Sequence, residues 1–151
     1  MAEDKGGGPA TIPLPCACAN IRRAARAVTQ LYDEALKPSG LRSTQFALLQ
    51  VLVRAGKATQ GRMGEILGID STTLSRTLAT LESAGWIRST PGSDRRERYV
   101  ELTSAGRRLH DRAVPAWEAV QRRYRERLGA DKWAEMLTLL TSAAHAARSE
   151  S

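Results

Sequence analysis

The chain has 151 residues, enough for one domain, or one domain plus dimerisation helices, with a core of useful size. Its 23 Lys and Arg against 16 Asp and Glu leave a net charge of +7, which favours an anionic partner such as nucleic acid. Two cysteines one residue apart exclude a staple between distant parts of the fold, and no apolar run approaches the roughly 18 to 20 residues that span a bilayer.

Residues 1–15 read as a small, Gly-rich, flexible tail. They lack the basic and apolar regions of a secretory signal, so a cytoplasmic location with reduced thiols is expected, and no membrane association. The spacing then predicts a first helix over 16–37, with Pro15 in its first turn. Ile21, Ala24, Ala25, Val28, Leu31, Tyr32 and Ala35 form its apolar stripe. Lys37-Pro38-Ser39-Gly40 stops it. A second helix follows over 41–54, with Phe46, Leu48, Leu49, Leu52 and Val53 apolar. Thr59 caps a short third helix to Leu67, with Met63, Ile66 and Leu67 expected inside. Gly68 is its natural stop. Asp70 caps a fourth helix reaching Ala84, and Leu74, Leu78 and Leu81 give it one buried stripe.

Two strand-like runs come next, Trp86–Ser89 and Arg98–Leu102, around the turn-rich tip Pro91-Gly92-Ser93-Asp94 and two arginines, Arg95 and Arg96. Thr103 caps a long helix to about Leu128, in which Pro115 predicts a kink. Gly129-Ala130-Asp131 precedes a last helix over 132–148, whose apolar set is Trp133, Met136, Leu137, Leu140 and Ala144. The fold class is therefore mainly α with a small β-hairpin wing. A winged helix-turn-helix over 41–102 is flanked by N- and C-terminal helices, 16–37 and 103–149, whose apolar surface points to pairing with a second copy; an intramolecular bundle is the alternative that patterning leaves open.

In a helix-turn-helix the second helix enters the major groove with its N-terminal part near base edges. Here that part holds Ser71, Thr72, Thr73, Ser75 and Arg76, all polar, while Leu74 turns inward. Hydroxyls serve bases or phosphates, and Arg76 has the fork geometry for guanine O6 and N7. Asp94, Arg95 and Arg96 at the hairpin tip suit a narrow, electronegative minor groove, where Arg is favoured. The competing readings are a polar first turn and a solvated Asp–Arg pair. An enzyme is not indicated. Only His110 and His145 are present, neither at meaningful spacing to a nucleophile, and no Gly-rich phosphate loop follows a strand.

The run Gly85-Trp86-Ile87, then Asp94-Arg95-Arg96, then Leu102-Thr103-Ser104-Ala105-Gly106-Arg107, resembles the MarR family of bacterial transcriptional regulators. The resemblance covers residues 16–149, read as one MarR-like domain. It implies a homodimer joined by intertwined terminal helices, acting on double-stranded DNA without a cofactor. It assigns minor-groove insertion to Arg96, oriented by Asp94, with Arg95 nearer phosphate. It further implies a repressor on a pseudo-palindromic operator, released by a small aromatic or phenolic inducer or by an oxidant. The rival is a sequence-tolerant architectural DNA-binding protein.

Cys16-Ala17-Cys18 is the second informative feature. A helix start and the nearby Arg22 and Arg23 favour thiolate. The spacing from Cys18 to Tyr32 resembles the organic-hydroperoxide-sensing branch of the family, in which tyrosines bond the reactive cysteine. The second tyrosine of that branch falls at Ser43 here. Three readings stand open: structural cysteines at a dimer contact, a redox sensor built from Cys18, Cys16 and Tyr32, or a soft-metal site shared by two subunits. For a small-molecule inducer the candidates are Arg22, Tyr32, His110 and Trp117.

Overall fold

A computed structural model describes residues 12, 14–94 and 97–148. Helix α1 spans Ala17–Leu36 and passes into a 3-10 turn at Lys37–Ser39. Then follow α2 (Ser43–Ala55), β1 (Lys57–Thr59), α3 (Gln60–Leu67), α4 (Ser71–Ser83), β2 (Ile87–Pro91), β3 (Arg98–Leu102), α5 (Ser104–Leu128) and α6 (Ala130–Arg148).

The local chemistry explains the boundaries. Thr59, Asp70 and Thr103 each accept a backbone amide of the helix that follows, from Arg62, Thr73 and Gly106 respectively. Each such cap is worth about 1 kcal/mol. Gly68 ends α3 at φ 63°, a left-handed conformation in which a β-carbon is strained, and so makes the tight turn into α4. Helix α2 starts on a borrowed cap. The Asp33 carboxylate of α1 accepts the Ser43 amide at 2.7 Å and pairs with Arg42 at 3.3 Å, which ties the first helix to the reader module.

One core holds the module together. It joins Phe46, Leu48, Leu49 and Leu52 of α2 to Met63, to Leu74, Leu78 and Leu81 of α4, and to Ile87, Val100, Leu109 and Ala113. Burying each Leu or Phe contributes about 1.5 to 3 kcal/mol. The buried leucines of α4 recur at i, i+4 and i+7, so the opposite side of that helix is left to solvent.

Several expectations need correction. The sheet has three strands in the order β1-β3-β2, all antiparallel, with Ala58 opposite Val100 and Ile87 opposite Leu102. The hairpin is therefore backed by Lys57–Thr59, which no local pattern marks as a strand. Ile66 is 50 % exposed rather than inside, because a two-turn helix turns only Met63 fully into the core. Pro15 lies outside α1, since Cys16 is the extended residue that precedes the helix. Pro91 belongs to β2, not to the tip. Helix α5 continues through Pro115 as one element.

Helices α1 and α6 bury little within one chain, whereas α5 contributes Leu109, Ala113 and Val120 to the interior. Helix α6 has no buried residue, and Leu137, Leu139 and Leu140 are 48, 59 and 47 % exposed. In α1 only Leu36 is buried, and Ile21 is 46 % exposed.

Candidate nucleic-acid interface

The outer face of α4 forms from the turn upward. Asp70 fixes the start of the helix, and Leu74 anchors its first turn in the core. Ser71, Thr72, Thr73, Ser75 and Arg76 are then all exposed. They make one polar surface over the helix N-terminus, where Asp70 caps the Thr73 amide and the helix dipole carries partial positive charge. Arg76 makes no ion pair with any described residue, so its guanidinium is available to an external acceptor. Thr77 and Thr80 are different. Their hydroxyls donate to the Thr73 and Arg76 carbonyls at 2.9 and 3.1 Å.

The wing is coupled to this helix. Glu82, near the end of α4, accepts the Ser89 amide of β2 at 3.0 Å. The Trp86 amide donates to the Leu81 carbonyl at 3.0 Å. Further out, Arg88 and Glu101 pair across the hairpin at 2.7 Å, and the Lys57 ammonium stands 4.7 Å over the Tyr99 ring. At the tip the Gly92 amide donates to the Glu97 carbonyl at 2.8 Å, and the Glu97 amide to the Asp94 carbonyl at 3.0 Å. Asp94 is exposed. Arg95 and Arg96 lie outside the described residues. Arg98, read from the sequence as a solvent-facing strand residue, is exposed at the wing end of β3 and is a further cation of the wing.

The sensor candidates fall in two places. Cys16 and Cys18 are both exposed within one chain. The segment before them is clasped by Asn20, whose side chain accepts the Leu14 amide at 3.1 Å and donates to the Leu14 and Cys16 carbonyls at 2.6 and 2.9 Å. Arg23 donates to the Ile12 carbonyl at 3.2 Å and to Asn20 at 3.1 Å. Within one chain Tyr32 bonds neither cysteine, as their spacing along α1 requires. Its half-buried hydroxyl donates to Gln121 of α5, and burial, with Tyr124 nearby, raises its pKa and keeps it a neutral phenol. Fourteen residues of α1 separate it from Cys18, about 21 Å of helix.

His110 is not on a solvated face. It is buried and stacked on Phe46, with ring centroids 5.2 Å apart and planes 7° apart. Its Nδ1 faces Asp111 at 3.1 Å, and its Nε2 has no partner among the described residues. Trp117 tilts against the same Phe46 at 5.7 Å. Arg22 is exposed on α1, away from this stack in sequence. Among the described residues no cluster of three or more His, Cys, Asp or Glu could hold a metal ion, and no helix is long and apolar enough to cross a membrane.

A short helix, a tight glycine turn, a capped helix with a polar outer face and a wing locked to that helix together define a winged helix-turn-helix DNA-binding protein. The chain belongs to the MarR family, as a transcriptional regulator and not an enzyme. A MarR family model matches residues 39–97, the reader module and the wing up to its tip. Over 88 % of its length the chain is 38 % identical to the Mycobacterium tuberculosis transcriptional regulator MosR, solved in complex with DNA, covering 98 % of it with a TM-score of 0.78. The PcaV regulator of Streptomyces coelicolor, solved with its natural ligand, is 26 % identical over 91 % of this chain and 99 % of its own, with a TM-score of 0.80. The Bacillus subtilis HTH-type transcriptional regulator YwoH, itself uncharacterized, is 33 % identical over 91 residues, which are 60 % of this chain and 66 % of YwoH.

Proposed function

We propose that this protein is a homodimeric repressor that binds a pseudo-palindromic operator. Its α4 lies in the major groove and its wing follows the adjacent minor groove. The observation that carries the reading is the sorting of α4: Leu74, Leu78 and Leu81 are buried, while Ser71, Thr72, Thr73, Ser75 and Arg76 are exposed on the other side. Arg76 is the residue suited to guanine. Asp94, Arg95 and Arg96 are assigned to the wing contact, with Arg96 inserted and Arg95 nearer phosphate. The exposed leucines of α6, with Ile21 of α1, supply the apolar area that a second copy covers.

Release from DNA has two supported routes. Exposure of Cys16 and Cys18 supports oxidation. A thiolate attacks a hydroperoxide oxygen, the O–O bond breaks, and a sulfenate and an alcohol result. The unpartnered Nε2 of His110 beside Phe46 and Trp117 supports a small aromatic ligand instead.

One experiment tests the core of this reading. Sedimentation of the protein and of Leu140→Glu, with duplex competition, is expected to show a dimer that prefers its operator by roughly 10³-fold or more, and a variant that loses assembly and affinity together. A folded monomer at micromolar concentration removes the dimer. Equal affinity for operator and random duplex makes the protein an architectural binder. Leu140 is a cleaner probe than Trp133, whose ring already packs edge-on against Tyr124 of the same chain at 5.4 Å.

A further inference from the structure

The hydroxyl groups on α4 do not all carry the same information. Ser71, Thr72 and Ser75 make no hydrogen bond through their side chains to described residues, so each rotates to donate or to accept. Thr73 is constrained. Asp70 accepts the Thr73 amide on Oδ1 at 2.9 Å and the Thr73 hydroxyl on Oδ2 at 2.6 Å. A carboxylate has acceptors only, so the hydrogen between the two oxygens is the one that Thr73 owns. The Thr73 hydroxyl and amide together hold the Asp70 carboxyl below the ordinary carboxylate range, so it stays ionised at neutral pH. Thr73 is nevertheless exposed, and what it has left for a ligand is its oxygen lone pairs.

We propose that Asp70 is a specificity-determining residue: it holds Thr73 as a hydrogen-bond acceptor, so that Thr73 selects a base presenting an amino group in the major groove, adenine or cytosine. The inference rests on the reading that the first turn of α4 meets the major groove. Adenine N6 and cytosine N4 are donors there, whereas guanine O6 and N7 and thymine O4 are acceptors. Phosphate oxygens are acceptors too. Against any of these the Thr73 oxygen faces a second acceptor with no hydrogen between them, which loses a hydrogen bond and adds repulsion. Asp70 sits at the edge of this surface, outside the five residues of the outer face. It acts on base choice through Thr73.

Two substitutions separate the roles. In Asp70→Asn the side-chain oxygen keeps the cap on the Thr73 amide, since Asn and Asp are comparable in that position. The new amide nitrogen donates to the Thr73 oxygen and frees the hydroxyl hydrogen for DNA. Thr73→Val keeps the shape and removes the hydroxyl. Selection from a randomised duplex pool, read by sequencing, gives the preference at each position, and thermal unfolding checks that both variants are folded. Wild-type protein is expected to favour A or C over G or T by about three- to tenfold at one position per half-site. Thr73→Val flattens that position, and Asp70→Asn inverts it to favour G or T. The charge lost in Asp70→Asn raises affinity for every duplex alike and cancels in the ratio. Wild type and Asp70→Asn with the same preference at the position that Thr73→Val flattens overturns the proposal, as does a Thr73→Val protein that flattens no position. A wild-type protein with no preference anywhere overturns the major-groove reading of α4 itself, and the proposal with it.

Discussion

A β-carbon built on Gly106 would stand 1.9 Å from the carbonyl oxygen of Trp86, so α5 crosses the root of the wing where only glycine fits. The same point gathers four hydrogen bonds. The Thr103 amide donates to that Trp86 carbonyl at 3.1 Å, and its hydroxyl donates to the Gly85 carbonyl at 2.7 Å. Thr103 in turn caps the Gly106 amide, and the Trp86 amide is held by Leu81 of α4. The end of the reader helix, the root of the wing and the start of the long helix are thus one rigid joint. A shift of α5 would therefore be expected to move the end of α4 and the root of the wing together.

Gly106→Ala is therefore expected to destabilise the fold by about 1 to 3 kcal/mol, because the added carbon meets backbone that cannot move aside cheaply. The matching drop in Tm is about 3 to 10 °C. Operator affinity is expected to fall with it, since the joint sets how the wing sits on α4. A thermal scan of the variant checks this, and a Tm equal to that of the wild type refutes the joint.

Most of the candidate site's local geometry was legible because its signals are local. Asp70, Gly68 and Thr103 mark helix ends by their own side chains or backbone freedom, and the spacing of Leu74, Leu78 and Leu81 reveals which side of α4 is outside. Contacts made between distant segments leave no such mark. Lys57–Thr59 contains a single apolar residue, and it becomes a strand only because β3 is there to pair with it. His110 could equally have stood on a wet helix face. It is buried because Phe46, on another helix, offers a flat ring to stack on. The two carboxylates that borrow amides across elements, Asp33 to Ser43 and Glu82 to Ser89, were invisible for the same reason.

Asp33 gives the fold a predictable acid limb. Burial pushes its carboxyl up, but the Ser43 amide and hydroxyl and the Arg42 guanidinium outweigh this and hold it below the ordinary carboxylate range. A carboxyl depressed in the folded state stabilises the fold above its unfolded pKa and loses that contribution as pH falls through the folded one. Wild-type protein should thus lose stability progressively from about pH 5 downward. Asp33→Asn, which keeps an acceptor for Ser43 but no charge, should be less stable at neutral pH and show a shallower decline in acid. Tm measured across this range decides. Parallel curves for the two proteins would mean that Asp33 contributes shape and not charge.

Arg76 is the guanidinium on α4 suited to base recognition. Arg76→Ala is expected to cost about 1 to 3 kcal/mol of specific binding and to relax preference at one base pair per half-site. Loss of a purely phosphate contact would instead weaken operator and random duplex equally and lower the salt slope by about one. Titrations of both duplexes at two salt concentrations separate the outcomes. Equal losses with a reduced slope move Arg76 to the backbone.

The thiols make the last prediction. Cys18 lies inside the first turn of α1, while Cys16 is the residue before the helix and its carbonyl is held both by the Asn20 amide at 3.1 Å and by the Asn20 side chain. Oxidation of Cys18 should therefore halt at the sulfenate while that clasp is closed, because a disulfide to Cys16 needs the helix start to open and would otherwise be strained. Asn20→Ala removes the side-chain grip on both Leu14 and Cys16. In that variant peroxide should convert Cys18 to the Cys16–Cys18 disulfide faster, and the protein should leave its operator sooner. Mass spectrometry after a timed peroxide pulse distinguishes sulfenate from disulfide, and Cys16→Ser and Cys18→Ser proteins identify the thiol attacked first. The expected order is fast oxidation in Cys16→Ser, slow oxidation in Cys18→Ser, and disulfide accumulation that rises when Asn20 is cut back. Two thiols that react no faster than free cysteine, with peroxide leaving DNA binding unchanged, would remove the redox route. The buried aromatic stack of His110, Phe46 and Trp117 would then be the place to look for what releases this regulator.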